Sequence, residues 1–155
     1  KTGLDIGSNC GFFTLHLSNY LKSMDGVEIN PYLIDISNDT KEYLEIENTN
    51  FHNCSFEDFK IDTKYDIIFS LANDSTIDGN TRFNFSEYIE KIINLLSKNG
   101  IVIFESQAMD MMPESKFEPK LNHLKQYFSI IEDRYVPSEY PVNVPYRKFL
   151  VLKLN

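Results

Sequence analysis

Leu4-Asp5-Ile6-Gly7-Ser8-Asn9-Cys10-Gly11-Phe12-Phe13 reads as a short apolar strand carrying an acid, a turn with glycines four apart, and the start of a helix. Gly7 permits a tight turn and lets a ligand approach bare backbone. The N–H groups that open the helix then face that ligand. Further on, Gly26-Val27-Glu28 ends a second short strand in an acid. A carboxylate at that point of a βαβ unit suits a ribose diol, because it can accept from both hydroxyls. Together these features point to a nucleoside-containing cofactor. A dinucleotide fingerprint has the form G-x-G-x-x-G, with small residues that let a pyrophosphate sit on the helix N-terminus. Here Asn9 and Phe12 replace two of those glycines and would crowd a pyrophosphate. A ligand without phosphate is less affected.

Residues 4–18, LDIGSNCGFFTLHLS, resemble motif I of class I S-adenosylmethionine-dependent methyltransferases, roughly D-x-G-x-x-x-G. GVEINP (26–31) is similar to that family's second motif, and CSFEDF (54–59) to its adenine-binding loop. YDIIFS (65–70) and LLSKNGIVIFES (95–106) resemble its fourth and fifth strands. The segments follow the family's order over nearly the whole chain. The resemblance implies a Rossmann-like, doubly wound, mostly parallel seven-stranded α/β sheet. One C-terminal strand is antiparallel, and helices lie on both faces. It implies one methyltransferase domain over 1–155, reading as a fragment without the family's N-terminal helices.

With 155 residues the chain suits one domain with one core. Net charge is −8 and the lysines are scattered singly, so no basic stripe is available to neutralise phosphates. A nucleic-acid substrate is therefore disfavoured. No run is long and apolar enough for a membrane helix. Cys10 is expected in the turn after the first strand and Cys54 at the end of the third, two strand places away and about 10 Å apart laterally, too far to bridge. Free thiols and a cytoplasmic setting follow as expectations.

The alternation of strand and helix calls for a mostly parallel sheet. Strands are expected at 2–6, around Val27, at 51–54, 65–70, 101–104, 129–135 and 147–154. The first helix is expected to turn Phe13, Leu17 and Tyr20 or Leu21 inward. In the second, capped by Asn30 with Pro31 in its first turn, the inner face reads Leu33, Ile36, Thr40 and Leu44. Phe85, Ile89, Ile92 and Leu96 mark a third helix, with Ser86 a candidate cap and Asn99-Gly100 a stop. Phe117, Leu121, Leu124 and Phe128 mark a fourth.

In such sheets ligands sit over the carboxyl ends of the strands. Asp5 and Gly7 suit the methionine end of the cofactor, with Asp5 near its ammonium, and Ser8, Asn9 and Gly11 are further cofactor-binding candidates in the same turn. Glu28 suits its ribose, as a rim acid whose loss spares the fold, and the adjoining Ile29 is a further cofactor-binding candidate. Ser55, Phe56 and Glu57 match the loop that reads adenine. Phe56 can stack or offer only backbone, and Glu57 can accept from the exocyclic amine. Ser70 and Leu71 close the fourth strand on the same rim. Phe12 reads equally as a core residue. Asn73, Asp74 and Asp78 follow the fourth strand, and Asp74 or Asp78 is the best candidate for a base, Glu105 another. Met109, Met111 and Met112 can line an acceptor pocket or pack a loop. His16, His52 and His123 have no metal-ligand spacing, so no metal is expected. The expected activity is methyl transfer from S-adenosylmethionine to a small molecule at oxygen. The alternatives are a non-catalytic cofactor-binding domain, or a tRNA or protein methyltransferase whose docking segments are missing.

Overall fold

Strand and helix alternate along most of the chain down to the fifth strand, and an antiparallel pair then closes it. The computed structural model describes residues 1–75, 81–138 and 146–155. The strands are β1 (Thr2–Ile6), β2 (Ser23–Glu28), β3 (Thr49–Asn53), β4 (Tyr65–Leu71), β5 (Leu96–Glu105), β6 (Phe128–Pro137) and β7 (Tyr146–Leu154). The helices are α1 (Phe12–Ser18), α2 (Pro31–Tyr43), α3 (Phe85–Leu95) and α4 (Glu118–Tyr127). Two 3-10 turns, Ala108–Met111 and Glu114–Phe117, fill the connection from β5 to α4. The sheet order is β3-β2-β1-β4-β5-β7-β6. The β1–β2, β1–β4, β2–β3 and β4–β5 pairs are parallel, and β7 runs antiparallel between β5 and β6. The chain winds outward from β1 to β3 and then restarts on the other side of β1 at β4. The switch point therefore lies between β1 and β4, where a crevice opens at the strands' carboxyl ends.

The two faces of the sheet differ. Leu4, Ile6, Ile68, Val102, Phe104, Leu150 and Leu152 alternate along their strands on one face. They form one core with Tyr88, Ile89, Ile92 and Leu95 of α3 and Leu124 of α4. Phe85, Ile89 and Ile92 thus behave as the helical spacing predicts. The opposite face takes α1 and α2. There Phe13 meets Phe69 edge-on at 5.4 Å, and Thr14 donates to Asp5.

The apolar spacing marks the inward face of these two helices only in part. The buried residues of α1 are Thr14, Leu15 and Ser18, while Tyr20 is exposed. Those of α2 are Ile34 and Ser37, while Ile36 and Leu44 are exposed. The reason is close approach. Gly11, at φ +74, has no room for a Cβ, which would lie 2.6 Å from Phe51 and 2.7 Å from the Ser37 hydroxyl. The seam is built of small polar residues that bond locally, Ser37 donating to the Leu33 and Asn9 carbonyls. A count of apolar side chains misses such a seam.

Two boundary signals also act elsewhere. Asn84, not Ser86, caps α3, through a reciprocal capping box with Glu87. Asn99-Gly100 does not end the helix. α3 stops at Leu95, and Asn99, at φ 63, bends β5 where its register with β4 jumps from Tyr65↔Leu96 to Ile67↔Ile101.

Candidate functional site

The Gly7–Gly11 turn is fixed by its backbone. The Gly7 and Ser8 amides both donate to the Val27 carbonyl, at 2.8 and 3.0 Å. Gly7 and Asn9 both have positive φ. Positive φ at Asn9 costs free energy, the kind of strain that functional turns hold. Glu28 is bolted to the same turn. One carboxylate oxygen accepts from the Asn9 amide at 3.1 Å, the other from the Asn30 amide at 2.9 Å. Lone pairs remain on both oxygens, since a carboxylate has about four acceptor sites.

A crevice of about 230 Å³ opens beside this turn. Gly7, Asn9, Glu28 and Ile29 form one wall, and Ser55, Phe56 and Glu57 form another. These seven come from three separate loops, and the sequence reading places all of them at the cofactor. Ile6, Val27 and Cys54 add apolar surface, and Asn73, Thr81 and Tyr88 complete the lining.

Not every candidate reaches the crevice. Asp5, Ser8, Gly11, Phe12, Ser70 and Leu71 are absent from its walls. Phe12 is 64% exposed on the outside of α1, neither core nor wall. Gly11 is filled against Phe51 and Ser37. Ser70 is fully buried and shares a 2.8 Å hydrogen bond with the Tyr88 hydroxyl, so it backs the wall rather than forming it. Burial holds the Tyr88 phenol far above its ordinary value, so the hydroxyl stays protonated. Tyr88 and Thr81 escaped the sequence reading. For Tyr88 a signal existed, its place in the α3 inward stripe one turn after Phe85.

Asp5 lies behind the turn, accepting from the Thr14 hydroxyl at 2.6 Å. Burial raises its carboxyl from 3.8 to about 6, against the pull of Thr14 and with a push from Glu28. That rise corresponds to about 3 kcal/mol favouring the neutral form. The unfolded chain ionises Asp5 near 3.8, the folded chain near 6. Stability from this group is thus full below the first value and is lost as pH rises through the second. Asp5→Asn keeps an acceptor for Thr14 and removes the charge. It should raise stability by up to about 3 kcal/mol at pH 7 and flatten the pH dependence between about 4 and 6, as read from urea melts. No gain at pH 7 would show that the carboxylate is better solvated than its burial implies.

The adenine-type loop is more constrained than its sequence shows. Phe56 is buried, edge-on to Tyr88 at 5.2 Å and beneath the Lys91 ammonium. Its ring belongs to the core, which favours the backbone as what it offers. One Glu57 oxygen accepts from the Arg82 amide at 2.8 Å and the Phe83 amide at 3.4 Å. Burial works against the Glu57 charge, but these donors outweigh it and hold the carboxyl below its ordinary range.

In the segment after β4, Ala72 takes φ 57. This bend lays the Asn73 amide over Gly7, where it donates to the Ile6 carbonyl. It also sends Asp74 away from the crevice. Asp74 is 3% exposed and paired with Lys120, which also holds Asp110 at 2.5 Å. Burial raises the Asp74 carboxyl despite the pull of Lys120. Asp78 lies outside the described residues. Glu105 pairs with Arg147 at 2.8 Å. Met111 is buried, while Met109 and Met112 are exposed. His52 and the Tyr65 hydroxyl each lie 2.8 Å from the Asp25 carboxylate, away from this crevice.

A methyltransferase-domain family model matches residues 1–138. No curated protein sequence matches the chain. Among solved structures, the N-methyltransferase NodS from Bradyrhizobium japonicum WM9 in complex with S-adenosyl-L-homocysteine superposes with a TM-score of 0.80 at 15% identity, covering 99% of this chain and 78% of that one. An S-adenosylmethionine-dependent methyltransferase from Clostridium acetobutylicum gives 0.78 at 14% identity, covering 99% and 84%. The M. jannaschii tRNA m1G37 methyltransferase gives 0.70 at 16% identity, covering 99% of this chain but 44% of that one. At these identities the likeness is one of fold.

Proposed function

The chain belongs to the methyltransferase-domain family, and we propose that it is an enzyme that moves the methyl group of S-adenosylmethionine to a small molecule. The observation that carries this reading is the position of Glu28. It is a wall carboxylate held by two backbone amides beside a strained glycine turn, across from the 55–57 loop. Such a wall fits a nucleoside that carries an amino acid and no phosphate. The bound S-adenosylhomocysteine in the NodS neighbour supports the same choice.

The cofactor supplies a methyl group already activated on sulfur. The chain's own contribution is to bind, align and exclude water. Glu28 is assigned the ribose hydroxyls, the 55–57 loop the adenine, and the Gly7–Asn9 turn the amino-acid end. Calorimetry with S-adenosylhomocysteine against NAD tests the class of ligand. Binding of NAD alone would overturn it.

Glu28→Ala should weaken S-adenosylhomocysteine by about 1.5–3 kcal/mol, the range for hydrogen bonds to a charged group. It should also lower fold stability, because the Asn9 and Asn30 amides lose their acceptor. These two bonds argue against the expectation that this acid is dispensable to the fold. Titration and thermal melts separate the two effects, and unchanged affinity would remove Glu28 from the site.

A small acceptor is supported by the net charge of −8. Among the described residues, no helix is long and apolar enough to cross a membrane. For the acceptor atom we keep oxygen as the first reading, with Asp74 as its base. The raised Asp74 carboxyl supports that role, and its Lys120 pairing opposes it. The pairing favours a second reading, an amine nitrogen that needs no base here. Asp74→Asn distinguishes them. Loss of about 10²-fold in turnover on a hydroxyl acceptor, with cofactor affinity intact, supports a base. Unchanged turnover on that acceptor removes Asp74 as a base, and transfer to an amine but not to the matching alcohol supports the second reading.

A further inference from the structure

We propose that the cofactor loop at 55–59 and the acceptor-side segment at 81–83 are one mechanical unit, so that cofactor binding fastens the acceptor side through Glu57 and Arg82. This rests on the cofactor assignment above and goes beyond it.

The link has two independent sets of contacts. Glu57 lines the crevice, and its carboxylate takes the backbone amides of Arg82 and Phe83. The Arg82 guanidinium returns in the opposite direction, donating to the Ser55 hydroxyl at 3.0 Å and the Asp58 carboxylate at 2.6 Å. Ser55 and Asp58 are themselves joined, Ser55 donating to the Asp58 carboxylate and accepting from its amide. Three acceptors on one loop, Ser55, Glu57 and Asp58, thus meet one short stretch of the other. Below them Lys91 of α3 donates to the Glu57 and Phe59 carbonyls, both at 2.8 Å, and fixes the loop from the core side. Thr81, adjoining the tether, is itself a crevice wall.

The Arg82–Asp58 pair is exposed, and alone it would add little. The Glu57 bonds are charge-assisted and partly shielded, so they are the stronger set. Arg82 is a positioning residue here. It touches none of the crevice directly but holds what does.

Linkage makes the idea measurable. If opening of 81–83 dismantles the 55–59 loop, it must also release bound ligand. Amide exchange at Arg82 and Phe83 should then slow on ligand addition, by up to about 100-fold at a ligand concentration of about 100 Kd. Reciprocity requires that loosening the tether weaken the ligand. The experiment is residue-resolved hydrogen exchange on the full chain with and without S-adenosylhomocysteine. It is repeated on Arg82→Met and Arg82→Lys, with affinities from calorimetry. The Ile46 amide, bonded to the Lys41 carbonyl between α2 and β3, serves as the distant control.

The expected result is slowing of about tenfold or more at Arg82 and Phe83, well beyond that at Ile46. With it, Arg82→Met, which removes only the exposed side-chain set, should bind about two- to fivefold more weakly, the span of an exposed pair, and Arg82→Lys should recover part of the loss. Ligand binding with no added protection at Arg82 and Phe83 overturns the coupling and leaves the cofactor assignment standing. Absence of ligand binding in the wild type overturns both.

Discussion

Gly7→Val should abolish binding of S-adenosylhomocysteine. Two independent costs meet at this position. Gly7 sits at φ +69, where a branched side chain is strongly disfavoured. Holding a non-glycine residue there costs about 1–3 kcal/mol. A Cβ on Gly7 would also fall 2.6 Å from the Asn73 amide oxygen and 2.9 Å from its Cγ. That amide cannot swing aside freely, because its nitrogen is bonded to the Ile6 carbonyl. The turn must therefore move, and the Gly7 and Ser8 amides must leave the Val27 carbonyl. Movement of this turn displaces Asn9 and with it the Glu28 carboxylate.

A loss of about 3 kcal/mol or more is expected, over roughly 100-fold in Kd. Circular dichroism and calorimetry on the same sample separate misfolding from lost affinity. Should the Gly7→Val chain fail to fold, Gly7→Ala carries only the Cβ. Its defect should be partly relieved by Asn73→Ser, a coupling visible in a double-mutant cycle. A folded Gly7→Val protein with normal affinity would place the cofactor elsewhere.

The resemblance of five ordered segments made the sheet and its antiparallel C-terminal strand readable before the structure. The central parallel strands β4 and β5 carry apolar runs, and the last two strands follow one another in sequence with no helical pattern between them. Spacing alone served less well on α1 and α2. Their packing depends on close approach at Gly11 and Ser37, and small residues leave no hydrophobic trace. That Gly7, Asn9, Glu28 and 55–57 would meet around one crevice was legible because each is fixed by a local turn or a strand end. The acceptor side was not. Where Asp74 points depends on the Ala72 bend and on Lys120, 46 residues away in sequence. A residue list for the loop carries neither. The Glu57–Arg82 tether was hidden for the same reason, since backbone donors have no sequence signature.

Lys120→Met should destabilise the fold by about 3–5 kcal/mol, the cost of removing one partner from a buried ion cluster. Its ammonium stands between Asp74 and Asp110 and lies 5.2 Å above the Phe85 ring. Two carboxylates share this single cation, and the Asp74 side chain is wholly buried. One Asp74 oxygen has no hydrogen-bond partner among the described residues. Met retains most of the aliphatic stem, so the loss measures charge more than packing. Domains of this size are stable by about 5–15 kcal/mol in all, so the midpoint of a urea melt should fall far.

Two further observations identify the cause. Asp110→Asn leaves one cation facing one anion, and should cost much less than Lys120→Met. Without Lys120 the Asp74 carboxyl, already raised by burial, loses the main influence that lowers it. A carboxyl whose folded value exceeds its unfolded value gives stability that is present in acid and lost as pH rises. The Lys120→Met defect should therefore shrink as pH falls below the raised Asp74 value. A loss under about 1 kcal/mol at every pH would mean that the three groups behave as solvated surface charges. In that case Asp74 would be free to turn toward the crevice that Asn73 already lines, and its candidacy as a base would strengthen.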